Sequence, residues 1–122
     1  MPLNKVLLIG FVPKAPEIHY LSSNVPGAKF VLGTTERGYT TKEGKRIPDQ
    51  TEWHYIEAYR EQARFVEQWV KPGSLLLVEG KLRYHTYTDN QGNTRRIAQI
   101  LAQKISFYES DVRSAPAGLQ HS

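Results

Sequence analysis

Hydrophobic and polar positions along the chain are organised around residues 51–59, Thr-Glu-Trp-His-Tyr-Ile-Glu-Ala-Tyr. A run rich in β-branched and aromatic residues, with no Gly or Pro, predicts a strand. Successive strand side chains point to opposite faces. Trp53, Tyr55, Glu57 and Tyr59 therefore share one face, and His54, Ile56 and Ala58 share the other. Ile56 and Ala58 mark the second face as the core side. The first presents three aromatic rings in a row beside Arg60. A soluble protein seldom leaves such a row facing water without a use for it. The rings either stack unpaired bases, each of which has a π-face, or pack on a partner subunit or loop. The strand alone favours neither.

The same pattern organises the rest of the chain. Residues 3–12 predict a first strand whose apolar run Val6-Leu7-Leu8-Ile9 suggests burial on both sides, with Gly10 marking a bulge or close approach. Residues 13–27 read as loop with a short extended piece over 17–21, closed by a turn at Pro26-Gly27. A second strand follows over 28–37. Residues 38–50 are polar and turn-rich, a long exposed connection or hairpin tip with Tyr39 at its root, where a lone Tyr is usually an ordinary loop anchor. Residues 61–70 carry Phe65, Val66, Trp69 and Val70 at helical spacing. Pro72-Gly73 stops that helix, and the spacing places Trp69 in the core. Residues 74–84 predict a strand whose apolar run breaks at Glu79-Gly80-Lys81. If its alternation continues, Lys81, Arg83, His85 and Tyr87 share a face. Residues 89–93 (Asp-Asn-Gln-Gly-Asn) form a turn, and the return strand covers 94–108.

Three strands, one helix and two more strands is the element order of an OB-fold. The expected class is all-β with one helix: a five-stranded barrel with the helix between strands 3 and 4. At 122 residues the chain amounts to one ordinary domain, expected over 1–108. Residues 109–122, rich in Ser, Ala, Pro and Gly, are expected to form a short disordered tail.

Composition narrows the chemistry. No cysteine is present, which removes disulfides, thiolate metal sites and cysteine nucleophiles. The four histidines at 19, 54, 85 and 121 show no metal-ligand spacing. Glu52, Glu57 and Glu79 have no nucleophile placed beside them, and no Gly-rich loop cradles a phosphate ahead of the helix. The chain therefore reads as a non-enzyme without metal or cofactor. No apolar run reaches the roughly 20 residues of a membrane span, and no secretory signal opens the chain, so a cytoplasmic, nucleoid-associated protein is expected. The net charge of +4 suits an anionic partner, nucleic acid first.

Several short pieces now combine: Asn4-Lys5-Val6-Leu7-Leu8-Ile9-Gly10, Pro16-Glu17-Ile18-His19-Tyr20, Thr51-Glu52-Trp53-His54, Lys71-Pro72-Gly73-Ser74, Val78-Glu79-Gly80-Lys81-Leu82-Arg83 and the turn at 89–92. In this order and spacing, from residue 3 to residue 107, the chain resembles the bacterial-type single-stranded DNA-binding proteins. The resemblance implies an OB-fold homotetramer with single-stranded DNA wrapped around it. It also implies four stacking positions, which match Tyr39, Trp53, Tyr59 and Tyr87, and a place near the subunit interface for His54. The family usually has Trp where this chain has Tyr39 and Tyr87, and basic residues where it has His85 and Thr86. It typically ends in an acidic, Phe-terminated tip that docks partner proteins. Residues 109–122 carry no such tip, so tail-dependent partners are not expected.

The expectation is a protein that coats single-stranded DNA in replication, recombination or repair. Tyr39, Trp53, Tyr55, Tyr59 and Tyr87 would stack bases. Arg37, Lys45, Arg46, Arg60, Lys71, Lys81, Arg83, Arg95 and Arg96 would follow the phosphates. Lys5, Val6, Leu8 and His54 would meet a neighbouring subunit, in a tetramer or failing that a dimer. The rival readings are a replication or primosome accessory adaptor and an RNA-binding OB module.

Overall fold

A computed structural model describes residues 1–21 and 23–108. The element order is β1 (Val6–Phe11), β2 (Glu17–Tyr20), β3 (Pro26–Glu36), β4 (Tyr39–Thr40), β5 (Arg46–Ile47), β6 (Gln50–Tyr59), α1 (Glu61–Trp69), β7 (Leu75–Thr88) and β8 (Thr94–Phe107). The residues expected to form a tail lie outside the described part.

The main sheet runs β1-β7-β8-β6-β3-β2, and β1 also meets β3 at Phe11 and Gly33. That second contact closes β1, β3, β6, β8 and β7 into a ring, with β6 and β8 parallel and the other neighbours antiparallel. This is the five-stranded OB-fold barrel, with α1 between its third and fourth strands. Gly10 permits the closure: a Cβ there would run into the backbone carbonyl of Gly33. The short strand β2 extends the edge of β3. The pair β4–β5 forms a separate two-stranded ribbon between β3 and β6.

Alternation decides what is inside. Ala28, Phe30 and Leu32 of β3 face Ala58, Ile56 and His54 of β6 across the ladder. Leu76 and Val78 of β7, Ile100, Ala102 and Ile105 of β8, and Val12, Ala63, Val66 and Val70 complete the buried core. Leu32, Ile56 and Leu76 are almost wholly enclosed, and each contributes about 1.5–3 kcal/mol of transfer free energy. One extra residue on β8 opposite Glu79 and Gly80 makes a bulge, which bends that strand and lets the alternation of β7 pass unbroken.

Trp69 and the turn at Pro26-Gly27 depart from expectation. Trp69 is not a core residue; it is 40% exposed. At 3.6 residues per turn it lies roughly 90° round the helix from the line of Ala63, Val66 and Val70 that meets the barrel. A nine-residue helix with one packed side cannot bury the whole apolar stripe. Within the single chain, the first strand buries one side. Val6 and Leu8 lean on the protein's own core, whereas Leu7 and Ile9 face outward, 61% and 47% exposed. Pro26 and Gly27, read as a turn, are instead the first residues of β3. No helix among the described residues is long and apolar enough to cross a membrane.

Candidate nucleic-acid interface

The outward row of β6 is Trp53, Tyr55, Glu57 and Tyr59, opposite Gly33, Val31, Lys29 and Gly27 of β3. Trp53 is 51% exposed, and Tyr55 is also open to solvent. A ring as large as indole stays fixed on an open sheet only if something holds its edge. Here Gly33 supplies the gap and Phe11 the contact. The Phe11 and Trp53 rings meet edge to face across Gly33, with centroids 5.6 Å apart and planes at 76°. That geometry suits the ring quadrupoles. A Cβ at Gly33 would come within 2.7 Å of the Trp53 ring and 2.9 Å of Phe11. Tyr59 is half-buried, and its hydroxyl donates to Glu57 Oε2 at 3.0 Å. Burial, then that hydrogen bond, raises the Tyr59 phenol above its ordinary value.

The outer face continues across β8 and β7. Register pairs Lys81 with Leu101, Arg83 with Gln99, His85 with Ile97 and Tyr87 with Arg95. Because alternation survives past Gly80, Lys81, Arg83, His85 and Tyr87 share the face that carries the aromatic row. The β7–β8 hairpin runs beyond the barrel, so both of its sides are exposed near the tip. Its turn is built on Asp89, whose Oδ1 accepts from the backbone N–H groups of Gln91 and Asn93 at 2.9 Å. Oδ2 accepts from Arg95 Nε at 3.0 Å. These bonds, that of Asn93 foremost, hold the Asp89 carboxyl below its ordinary range.

The remaining expected residues separate into groups. Arg37, Tyr39, Lys45 and Arg46 lie on or beside the exposed β4–β5 ribbon, with Tyr39 opposite Ile47. Arg60 begins α1 with φ 57° and no side-chain cap. It lines an open hollow of about 520 Å³ with Tyr59, Asn24 and Arg64. Lys71 sits in the turn after α1, where its N–H donates to Ser74 Oγ at 3.0 Å. Arg96 is on the opposite face of the hairpin, its guanidinium 4.4 Å from the centre of the Tyr84 ring. The residues expected at an interface have intrachain partners. Lys5 Nζ lies 3.2 Å from Glu79, and His54 Nε2 is 2.8 Å from Thr34 Oγ1.

Phe11 and Tyr84 were not foreseen. Phe11 has the same strand parity as the outward Leu7 and Ile9, which was the available signal. Tyr84 has the inward parity of Leu82, and only the hairpin's extension beyond the barrel exposes it. Among the described residues no group of three or more His, Asp or Glu is placed to hold a metal ion.

Residues 3–108 match the model of the single-strand binding protein family. The chain belongs to that family. It is 38% identical to the single-stranded DNA-binding protein of Bacteroides thetaiotaomicron over 118 residues, covering 97% of this chain and 73% of that protein. It is 33% identical to the Neisseria meningitidis serogroup A protein of the same name over 105 residues, 86% of this chain and 59% of that one. Among solved structures, it is similar to a Plasmodium falciparum SSB in complex with single-stranded DNA, with a TM-score of 0.79 and 25% identity over 88% of this chain and 97% of the other. The family is one of DNA-binding proteins without catalytic activity.

Proposed function

We propose that this chain coats single-stranded DNA without strong sequence preference, in replication, recombination and repair. The observation that carries the reading is the outward row of Trp53, Tyr55 and Tyr59, with Trp53 braced by Phe11 and with Lys81, Arg83 and Tyr87 of β7 on the same face, one strand beyond β8. Base–aromatic stacking contributes roughly 1–3 kcal/mol per base and tolerates any sequence, while basic side chains track the phosphates. Tyr39 and the cations of the β4–β5 ribbon extend the path beyond the Trp53 end of the face. Arg60 and Lys71, at either end of α1, and Arg96, on the far side of the hairpin, add charge to strand passing those surfaces. Residues 1–108 form the binding domain in this reading, which keeps the protein in the cytoplasm with the nucleoid DNA.

Assembly belongs to the same proposal. Leu7 and Ile9 face outward opposite Glu79 and Leu77, and an exposed apolar strip on a barrel strand favours a second copy. Val6 and Leu8 pack partly against the protein's own core, and the proposed contact joins Leu7 and Ile9 to Lys5, Val6, Leu8 and His54. A tetramer is expected on sedimentation, and a monomer at micromolar concentration would overturn that part. The binding reading is tested by competition among oligo-dT, the matching duplex and oligo-U RNA. Preference for the single DNA strand supports it; equal or better binding of duplex or RNA refutes it.

A further inference from the structure

Trp53 and Tyr59 stand at opposite ends of the outward row of β6, and they are held differently. Trp53 has the Phe11 ring against it. Among the described residues no aromatic pair includes Tyr59. Its partner across the ladder is Gly27 of β3, which offers no side chain. On the other side β6 pairs with β8 only at Ile56 and Glu57, so Tyr59 lies beyond that ladder. An open hollow of about 520 Å³, lined by Arg60, Arg64 and Asn24, adjoins it on the α1 side and leaves room for the ring to swing.

Glu57 is what fixes the ring. The Tyr59 hydroxyl donates to Glu57 Oε2 at 3.0 Å. Side chains two apart on a strand start roughly 6.6 Å from each other. They meet only by leaning together along the strand. The bond therefore tilts the phenol along β6 toward Tyr55, in line with the row and away from the hollow. Glu57 has no competing engagement. Phosphates repel a carboxylate, so an ion pair is the first reason to look for on a DNA-coating face. Lys29 is its cross-strand neighbour, and Arg83 is near enough for its charge to lower the Tyr59 phenol's pKa. Among the described residues neither closes an ion pair with Glu57, whose one hydrogen-bond partner is the Tyr59 hydroxyl.

We infer that Glu57 is a positioning residue for single-strand binding: it holds the Tyr59 ring in the stacking row before DNA arrives. The inference rests on the single-strand-coating reading and deepens it. A ring ordered beforehand spares binding the loss of its rotamer freedom. The acceptor oxygen does this, not the charge, because the charge by itself opposes the phosphates.

The test measures Kd for oligo-dT at fixed salt in the full chain carrying Glu57→Gln or Glu57→Leu. Both variants remove the charge, and only glutamine keeps an acceptor oxygen for the Tyr59 hydroxyl. Comparing them cancels the relief of repulsion. Glu57→Leu should bind about fivefold more weakly than Glu57→Gln, the effect of having to order one side chain on binding. In a Tyr59→Phe background, where the ring stays and the hydroxyl is gone, the two should bind alike. Equal affinity of the two variants with Tyr59 present overturns the inference. So does a gap of the same size that persists in the Tyr59→Phe background. Either result leaves the coating function standing. Failure of the unmodified chain to bind oligo-dT would instead refute the coating function, and the inference with it. Far-UV circular dichroism confirms that the variants are folded. Should Glu57→Leu not fold, Tyr59→Phe alone decides, since it keeps both ring and charge. It should bind about fivefold more weakly than the unmodified chain, and unchanged affinity overturns the inference.

Discussion

Gly33→Ala probes the link between packing and binding at the centre of the face. The residue is extended, so alanine introduces no backbone strain there; the effect is steric. The new methyl carbon would sit 2.7 Å from the Trp53 ring and 2.9 Å from Phe11, against an optimum of about 3.5–4.0 Å between carbons. The rings must give by about 1 Å. Overpacking costs typically ~1–3 kcal/mol, and the low end applies because Trp53 is half-exposed and free to tilt outward. A cost of about 1 kcal/mol lowers the melting temperature by roughly 4 °C in a domain of this size. The tilt takes Trp53 off the plane of its row, and losing about 1 kcal/mol of stacking weakens oligo-dT binding about fivefold. Thermal melts and fluorescence-anisotropy titrations measure the two effects. Because Trp53 is the group that moves, the stability cost should shrink in a Trp53→Ala background. Gly10→Ala provides the contrast: its methyl meets the Gly33 backbone carbonyl, which cannot tilt away, and the penalty should be clearly larger. Wild-type melting and wild-type affinity in Gly33→Ala would refute the account of the ring pair.

Trp53→Ala should weaken oligo-dT binding by about one to two decades, whereas Trp69→Ala, on the exposed side of α1, should leave affinity unchanged in the same titration. The logarithm of affinity should fall linearly with the logarithm of salt concentration, at about −0.7 per phosphate contact. Lys81→Ala and Arg83→Ala should each flatten that slope, and a salt-independent Kd would contradict a phosphate-tracking face. Asp89 is charged more readily in the folded hairpin than in the unfolded chain. Its contribution is therefore complete above its ordinary pKa of 3.8 and is lost as pH falls through the lower folded value. Relative to intrinsic exchange at each pH, the protection of the Gln91 and Asn93 amides should be lost below that point before that of β6, and uniform loss across the hairpin and β6 would contradict it.

The fold was largely legible because β6 is rich in β-branched and aromatic residues without Gly or Pro, Pro72-Gly73 stops the helix, and the turn at 89–93 spells its own geometry. Helix α1 was legible in position but not in orientation. Its apolar stripe spans Phe65, Val66, Trp69 and Val70, and only the barrel decides that Ala63, Val66 and Val70 form the packed line. The apolar run of β1 hid its alternation, since Leu and Ile serve either side of a sheet and only the register with β7 shows which way Leu7 and Ile9 face. At the site, the row on β6 could be read directly. Its support could not, because Phe11, Gly33 and Trp53 come from three strands joined by barrel closure.

The central claim, that Trp53 is a stacking platform for single-stranded DNA, is tested most directly by its own fluorescence. The chain has two tryptophans, so Trp69→Phe leaves Trp53 as the sole indole reporter. Titrating that variant with oligo-dT should quench its emission in a saturable curve that coincides with binding measured by anisotropy. Binding that proceeds with Trp53 emission unchanged would contradict the claim.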